Sequence, residues 1–162
     1  MRSAATIFDA SEGYLELGLI KEAMDELEKL VGDDRTKPSV SVLRWRIFSA
    51  AKEWGSALDV AKQLVSLVPQ EPVYWVWAAI SARQAESLTA AVLLLRVARL
   101  CHSDSPLVQY RLACYEAQSG HFVAASECLR SALQLMPSLQ QTALQEQDLQ
   151  PLWATRSKRA KT

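Results

Sequence analysis

An apolar pattern recurs four times along the chain with the spacing of helices. Four alanines are 34 residues apart: Ala23, Ala57, Ala91 and Ala125. A large apolar residue stands three positions before each of them: Ile20, Trp54, Leu88 and Phe122. Because side chains three or four positions apart share one face of an α-helix, each unit presents one apolar stripe, with a small residue where two helices cross closely. The pattern predicts an amphipathic helix at the same phase of every unit.

Prolines and glycines share this period and indicate a second helix in each unit. Proline lacks the amide hydrogen that a helix interior needs, but it suits the first turn of a helix or a loop. Five of the six prolines are in phase: Pro38, Pro72 and Pro106 at intervals of 34 residues, and Pro69 and Pro137 at 68. Gly18 and Gly120 are 102 residues apart, three periods, and glycine permits a sharp turn after a helix. The sequence therefore predicts two helices of about 12 to 14 residues in each unit.

These residues give the chain a resemblance to tetratricopeptide-repeat (TPR) proteins, whose repeat runs tryptophan, leucine–glycine, tyrosine, alanine, an aromatic residue, alanine and proline. The fourth unit keeps seven residues of this pattern: Leu112, Ala113, Gly120, Phe122, Ala125, Ala132 and Pro137. The repeats would be residues 4–37, 38–71, 72–105 and 106–139. The resemblance implies an all-α fold, a right-handed α-solenoid of four helix-turn-helix repeats plus a C-terminal capping helix.

Three residues depart from the family pattern. Arg44 stands where the family has leucine, Trp45 where it has a small residue, and Glu116 where it has tyrosine. The second repeat is therefore the irregular one, and in the fourth repeat Tyr115 is a candidate to take over the role of the missing tyrosine.

The residues after the fourth repeat resemble the terminal segment of bacterial TPR proteins. Each repeat buries its apolar face only against its neighbours, so the last repeat needs a cover. Residues 140–153 carry glutamines on one side and Leu144 and Leu149 on the other, and we expect Leu152 and Trp153 to fold back onto the fourth repeat. The expected organisation is a single TPR domain, 1–153, with its cap at 140–153, followed by a basic flexible tail, 154–162.

Charge and composition argue against a nucleic-acid partner and a membrane-spanning helix, and the N-terminal residues favour a cytoplasmic location. Lys plus Arg and Asp plus Glu each number 18, so the net charge is zero and no nucleic-acid partner is predicted. No stretch approaches the roughly 20 apolar residues of a membrane-spanning helix. Asp9 and Glu12 interrupt what would be a secretory apolar region, which favours a cytoplasmic location and reduced cysteines.

The sequence carries no recognisable catalytic or metal-binding constellation. His102, His121 and the cysteines show neither Cys-x-x-Cys nor His-x-x-x-His spacing. The five glycines form no phosphate-binding loop, and no Gly-x-Ser-x-Gly elbow is present. We therefore predict no enzyme activity, no cofactor and no metal site.

The family resemblance implies a concave groove lined by the first helix of each repeat, here called helix A. Arginine and aromatic side chains dominate many protein interfaces. Carried onto this sequence, the groove positions and groove edge give these partner-binding candidates: Phe8, Glu12, Arg46, Trp77, Arg83, Tyr110, Arg111 and Gln118. We predict a non-catalytic scaffold or adaptor that binds a peptide or amphipathic helix, with a carboxylate or two, from a protein partner.

Two alternatives stay open. The apolar density around Val73, Trp75 and Trp77 could cover a second copy of the chain, which would make it a self-associating structural unit and a homo-oligomer. The chain could also be a dedicated chaperone for a secreted bacterial protein, because some TPR chaperones are about this size. The lysine–asparagine clamp with which some TPR proteins hold chaperone C-termini is absent, so that partner is not predicted.

Overall fold

The computed structural model describes residues 3–159, and this part of the chain is α-helical without a β-strand. The helices come in pairs, one pair in each 34-residue unit of the sequence, which confirms the all-α repeat fold. The first eight are α1 (Ala4–Glu16), α2 (Ile20–Leu27), α3 (Pro38–Ala50), α4 (Trp54–Leu67), α5 (Pro72–Ala85), α6 (Leu88–Cys101), α7 (Pro106–Gln118) and α8 (Phe122–Leu135). None of the described helices is long and apolar enough to cross a bilayer.

The helix starts follow from prolines and serines. Pro38, Pro72 and Pro106 each occupy the first turn of a helix A, where an unpaired amide would otherwise stand. Ser87 caps α6 by accepting a hydrogen bond from the Ala90 amide at 3.1 Å. Local sequence therefore marks where α3, α5, α6 and α7 begin.

The turn after each helix A uses one backbone position in three of the four repeats. Gly18 and Gly120 have φ values of 75° and 80°, in the region that side chains disfavour. Lys52 occupies the same phase of the second repeat and adopts φ 59° despite its side chain. In the third repeat, Glu86 has φ −121°, so this turn is built differently. The turn geometry is therefore kept in the second repeat even though the glycine is lost.

The alanine at the repeated phase lies where the two helices of a pair cross. It is fully buried in all four repeats: Ala23, Ala57, Ala91 and Ala125. In the first repeat the crossing is also fixed by a buried hydrogen bond of 2.7 Å, in which the Ser11 hydroxyl donates to the Ala23 carbonyl oxygen. A larger side chain at this phase would separate the helices, because protein interiors are close-packed.

Contacts within the chain divide it into two compact units, Met1–Pro69 and Gln70–Thr162. The first contains α1 to α4 and the second begins with α5. We had expected one domain over residues 1–153. Because repeats of this kind pack only on their neighbours, a division between the second and third repeats leaves each unit with its own core.

The cap of the second unit is more complex than the single helix expected for residues 140–153. It consists of a short helix α9 (Leu139–Gln145), a 3₁₀ turn (Gln147–Leu149) and a helix α10 (Gln150–Arg159). Leu149 and Leu152 are buried, as expected, but Leu144 is 54% exposed and Ala143 is buried instead. Helix α9 packs on α8, with Ala143 as its buried side chain.

Helix α10 includes residues that were expected to belong to the tail. Its helical backbone continues to Arg159, whereas a flexible tail was expected from residue 154. The Trp153 indole donates a hydrogen bond of 3.2 Å to the Ala143 carbonyl oxygen, which ties α10 to α9. Residues 160–162 of the expected tail lie outside the described residues.

Candidate functional site

In the first unit, the predicted binding residues lie on α1 and α3. Glu12 and Arg46 form an ion pair, and their side chains remain 37% and 38% exposed. Phe8 packs partly against the core and lines a pocket of about 250 Å³ beside Val40. This face therefore presents an aromatic edge and both signs of charge, and each of the three side chains is partly exposed.

In the second unit, a segment of the chain itself contacts several of the predicted binding residues. The Asp148 carboxylate accepts hydrogen bonds from two nitrogens of Arg83, at 2.8 and 3.5 Å. The Gln118 side-chain amide donates to the main-chain oxygen of Asp148 at 3.3 Å. Leu149, the next residue, is fully buried. We call Arg83 and Gln118, which bind this segment, together with neighbouring residues of α7, the α5–α7 face: Arg83, Tyr110, Arg111, Tyr115 and Gln118.

The aromatic side chains of the α5–α7 face are buried. Tyr110 is 7% exposed, and burial, together with nearby Cys114 and Glu146, raises its pKa to about 12. Tyr115 is 2% exposed, and burial raises the pKa of its hydroxyl as well. Both phenols therefore stay neutral at physiological pH. A partner would reach Tyr110 only after the covering segment had moved.

Two guanidinium groups share the ring of Tyr115. The guanidinium carbon of Arg83 lies 4.9 Å from the ring centroid and that of Arg111 lies 5.9 Å from it. Arg83 has the Asp148 carboxylate as its ion-pair partner, but Arg111 forms no ion pair with any residue in the described ranges. The Nε atom of Arg111 is buried without a hydrogen bond to any described group. Arg111 is therefore the arginine of this face that forms no ion pair with the covering segment, although that segment carries two carboxylates, Glu146 and Asp148.

Trp77, the remaining candidate, belongs to α5 and is partly buried. Its ring lies 5.4 Å from that of Tyr74, centroid to centroid, on the same helix. The structure therefore brings together Arg83, Tyr110, Arg111 and Gln118 around residues 146–149, whereas Trp77 packs beside Tyr74.

The sequence reasoning missed a buried ionic network between α6 and α7. The Glu116 side chain is 2% exposed and accepts hydrogen bonds from Arg96 at 2.7 and 3.0 Å, and it lies 2.7 Å from the His121 Nδ1 atom. Burial raises the pKa of Glu116, but the hydrogen bonds from Arg96 and His121 outweigh it and hold the pKa below its usual value. The replacement of the family tyrosine by glutamate was the available signal for this network.

The cysteines and acidic residues provide no metal centre within residues 3–159, where no three or more His, Cys, Asp or Glu side chains are placed to hold an ion. Cys114 and Cys128 are buried, and burial raises the pKa of both thiols, that of Cys114 to about 12. These two thiols are therefore protonated at neutral pH and are poor nucleophiles. Cys101 is exposed.

Comparison with known proteins supports the fold at low sequence identity. No protein-family model matches the chain, and no curated protein matches it at a significant level. A thermophilic TPR protein of Thermus thermophilus, TTC0263, superposes with a TM-score of 0.66 and 16% identity over 96% of this chain and 89% of its own. MamA AMB-1 superposes with a TM-score of 0.62 and 17% identity over 83% of this chain and 73% of its own. MamA MSR-1 gives a TM-score of 0.61 and 17% identity over 98% of both chains. The chain is therefore TPR-like, with the all-α repeat fold of these structures.

Proposed function

We propose that the chain is a non-catalytic scaffold that binds a peptide or helix of another protein on its helix A faces. The observation that carries this proposal is the seating of residues 146–149 on the α5–α7 face. There an arginine holds a carboxylate, a glutamine binds the main chain and a leucine is buried. These are the three kinds of contact that hold an extended peptide in a groove. A helix A face of this fold thus has the chemistry to bind a peptide.

The first unit offers a face for a partner from outside the chain. Phe8 supplies partly exposed apolar area, while Glu12 and Arg46 supply hydrogen-bonding groups of opposite charge. Because both members of the ion pair are more than a third exposed, the pair contributes about 1 kcal/mol or less to folding. Its charges are therefore available for recognition at little expense of stability.

A charge exchange in the first unit tests the proposal. The variant Glu12→Arg/Arg46→Glu keeps an ion pair and its contribution to folding, but it reverses the charges that a partner meets. We expect this variant to fold normally and to lose specific partners in pull-downs quantified by mass spectrometry. Lys21→Ala, at an exposed position of α2, is the control for a changed surface charge and should recover the same partners as wild type. Equal recovery of every partner by the charge-exchange variant would refute binding at this face.

Self-association is a second candidate, favoured by an exposed apolar stripe on α6. Leu93, Val97 and Leu100 are 56%, 48% and 85% exposed, and their spacing of four and three positions places them on one face of the helix. Such a face suits a matching helix of a second copy. In sedimentation velocity, Val97→Lys should shift the chain towards monomer, whereas Leu135→Lys on α8 should not. A wild-type chain that stays monomeric at high concentration would exclude this candidate.

A further inference from the structure

The linker between the two helices of the cap, residues 146–149, contacts the α5–α7 face through the kinds of group that a bound peptide would use. Residues 146–149 approach the α5–α7 face with a carboxylate, a main-chain oxygen and a leucine side chain, all directed at α5 or α7. The Arg83–Asp148 pair joins residues 65 positions apart, and its side chains are 27% and 21% exposed. The contact is thus long-range, partly solvated and specific in its chemistry.

The two carboxylates of the linker, Glu146 and Asp148, leave one arginine of the face without an ion pair. Arg83 and Arg111 both lie against the Tyr115 ring, and only Arg83 is paired with a carboxylate among the described residues. The Arg111 Nε is buried without a hydrogen bond within the described part of the chain. An unpaired buried donor is unfavourable, so a ligand with a second acceptor near Arg111 would gain an interaction that the linker does not make. The face is therefore incompletely satisfied by its present occupant.

The two helices that flank the linker are held differently: α9 is weakly packed, whereas α10 is anchored by the buried Leu152. Helix α9 has only seven residues, and Leu144 on it is half exposed. Short helices have little stability of their own, so this part of the cap depends on its packing contacts. Segments with few buried apolar contacts open at lower free energy than the core. Opening from the α9 side must break the buried contact of Leu149, while Leu152 keeps α10 docked.

Resting on the proposed function, we propose that residues 146–149 are an exchangeable occupant of the α5–α7 face, and that the partner replacing them is an extended peptide with a carboxylate directly followed by leucine. The linker's own Asp148–Leu149 sequence defines this chemistry. A second carboxylate placed to reach Arg111 would favour the partner over the linker. The cap then competes with the partner, and the affinity observed equals the intrinsic affinity multiplied by the fraction of open chain.

The test uses a fluorescent synthetic peptide with the sequence of residues 144–153 and the full-length chain. The variant Asp148→Asn/Leu149→Ala weakens the linker in place. We expect it to bind the peptide at least about tenfold more tightly than wild type in fluorescence anisotropy, because the open fraction rises. The control Asp59→Asn/Leu135→Ala makes the same two changes at exposed positions and should bind like wild type. Arg83→Ala added to the opened variant, or asparagine in place of aspartate in the peptide, should abolish the gain.

Equal affinity of wild type and the opened variant, or equal binding of the asparagine peptide, would overturn the proposal. Hydrogen exchange of the wild-type chain gives a second measurement that does not depend on a variant folding. The amides of residues 147–149 should exchange well before those in the middle of α7, and exchange no faster than α7 would mean that the linker does not leave. The two proposals can fail separately. If the Glu12/Arg46 charge exchange loses partners but the peptide test fails, the proposed function stands and residues 146–149 stay on the α5–α7 face.

Discussion

The buried carboxylate of Glu116 allows a sharp prediction about which change damages the fold. Replacing Arg96 by alanine removes two hydrogen bonds and leaves the carboxylate, 2% exposed, with His121 as its partner. Hydrogen bonds to charged groups contribute about 1.5–3 kcal/mol, and Arg96 is half exposed, so solvent will offset part of the loss. We expect Arg96→Ala to lower the free energy of unfolding by about 2 kcal/mol.

Glu116→Met should be much less harmful although it removes the whole network. It replaces the buried charge by an apolar side chain of similar length, and Arg96 and His121, both about half exposed, regain water as a partner. Exchange of a buried ion pair for apolar residues is often neutral. We expect a change within about 1 kcal/mol, and the double variant Arg96→Ala/Glu116→Met should resemble Glu116→Met alone, which corresponds to a coupling energy of about 2 kcal/mol.

Urea unfolding followed by far-UV circular dichroism and by tryptophan fluorescence measures these differences. With a slope of about 1–3 kcal/mol per molar urea, a loss of about 2 kcal/mol moves the midpoint by about 1 M. The two probes are needed because the chain consists of two compact units. Equal losses in Arg96→Ala and Glu116→Met would refute the reasoning, because they would show that the side chains matter by packing and not by charge.

The pH dependence supplies an independent check. The pKa of Glu116 is lower in the folded chain than its usual value, because the hydrogen bonds from Arg96 and His121 outweigh burial. A lowered folded-state pKa stabilises the fold above the unfolded-state pKa, about 4.3, and this contribution is lost as the pH falls through the folded value. The deficit of Arg96→Ala relative to wild type should therefore shrink as the pH falls below about 4.3 and through the folded-state pKa of Glu116. A deficit that is unchanged there would contradict the role assigned to the carboxylate.

Four further substitutions test the packing of the repeats and of the cap by urea unfolding. Lys52→Gly should stabilise the chain by about 0.5–1 kcal/mol, because Lys52 has φ 59°, where glycine is favoured. Gly120→Ala, at φ 80°, should destabilise the chain by about 1 kcal/mol for the same reason. A change of the same sign in both variants would contradict the turn argument. Ser11→Ala should cost about 1 kcal/mol through the lost hydrogen bond to the Ala23 carbonyl, and no change would show that the crossing does not depend on it. Leu152→Ala should cost about 3 kcal/mol, since the side chain is buried between α10 and the last repeat, and a cost below about 1 kcal/mol would mean that α10 is not docked in solution.

The features that recur with the period could be predicted from the sequence. The four alanines fell at the helix crossings because only a small residue fits there, and three prolines fell at helix starts because their missing amide is harmless at that position. These constraints are local and repeat in every unit. They therefore appear directly as spacing in the sequence.

The features outside the period could not be predicted in the same way. The contact of Asp148 with Arg83 joins a non-repeating segment to a helix two repeats' length away, and no spacing rule relates them. Leu144 was assigned to the core from helical periodicity, but α9 is too short for that pattern to decide its orientation, and Ala143 is buried instead. Glu116 was recognised as a departure, yet its partners come from α6 and from the turn after α7, so only the tertiary structure identifies them.

The Arg83–Asp148 contact also limits how an array of this kind can lengthen by duplication of its repeats. Arg83 belongs to the third repeat, and the same phase of the other repeats holds Leu15, Ser49 and Ala117. A 34-residue copy inserted between α6 and α7 would still find a neighbour on each side, but it would carry Arg83 away from the cap. Only a copy of the third repeat itself would bring an arginine to the required place. The ion pair therefore limits which repeat can occupy the position before the last repeat of the array.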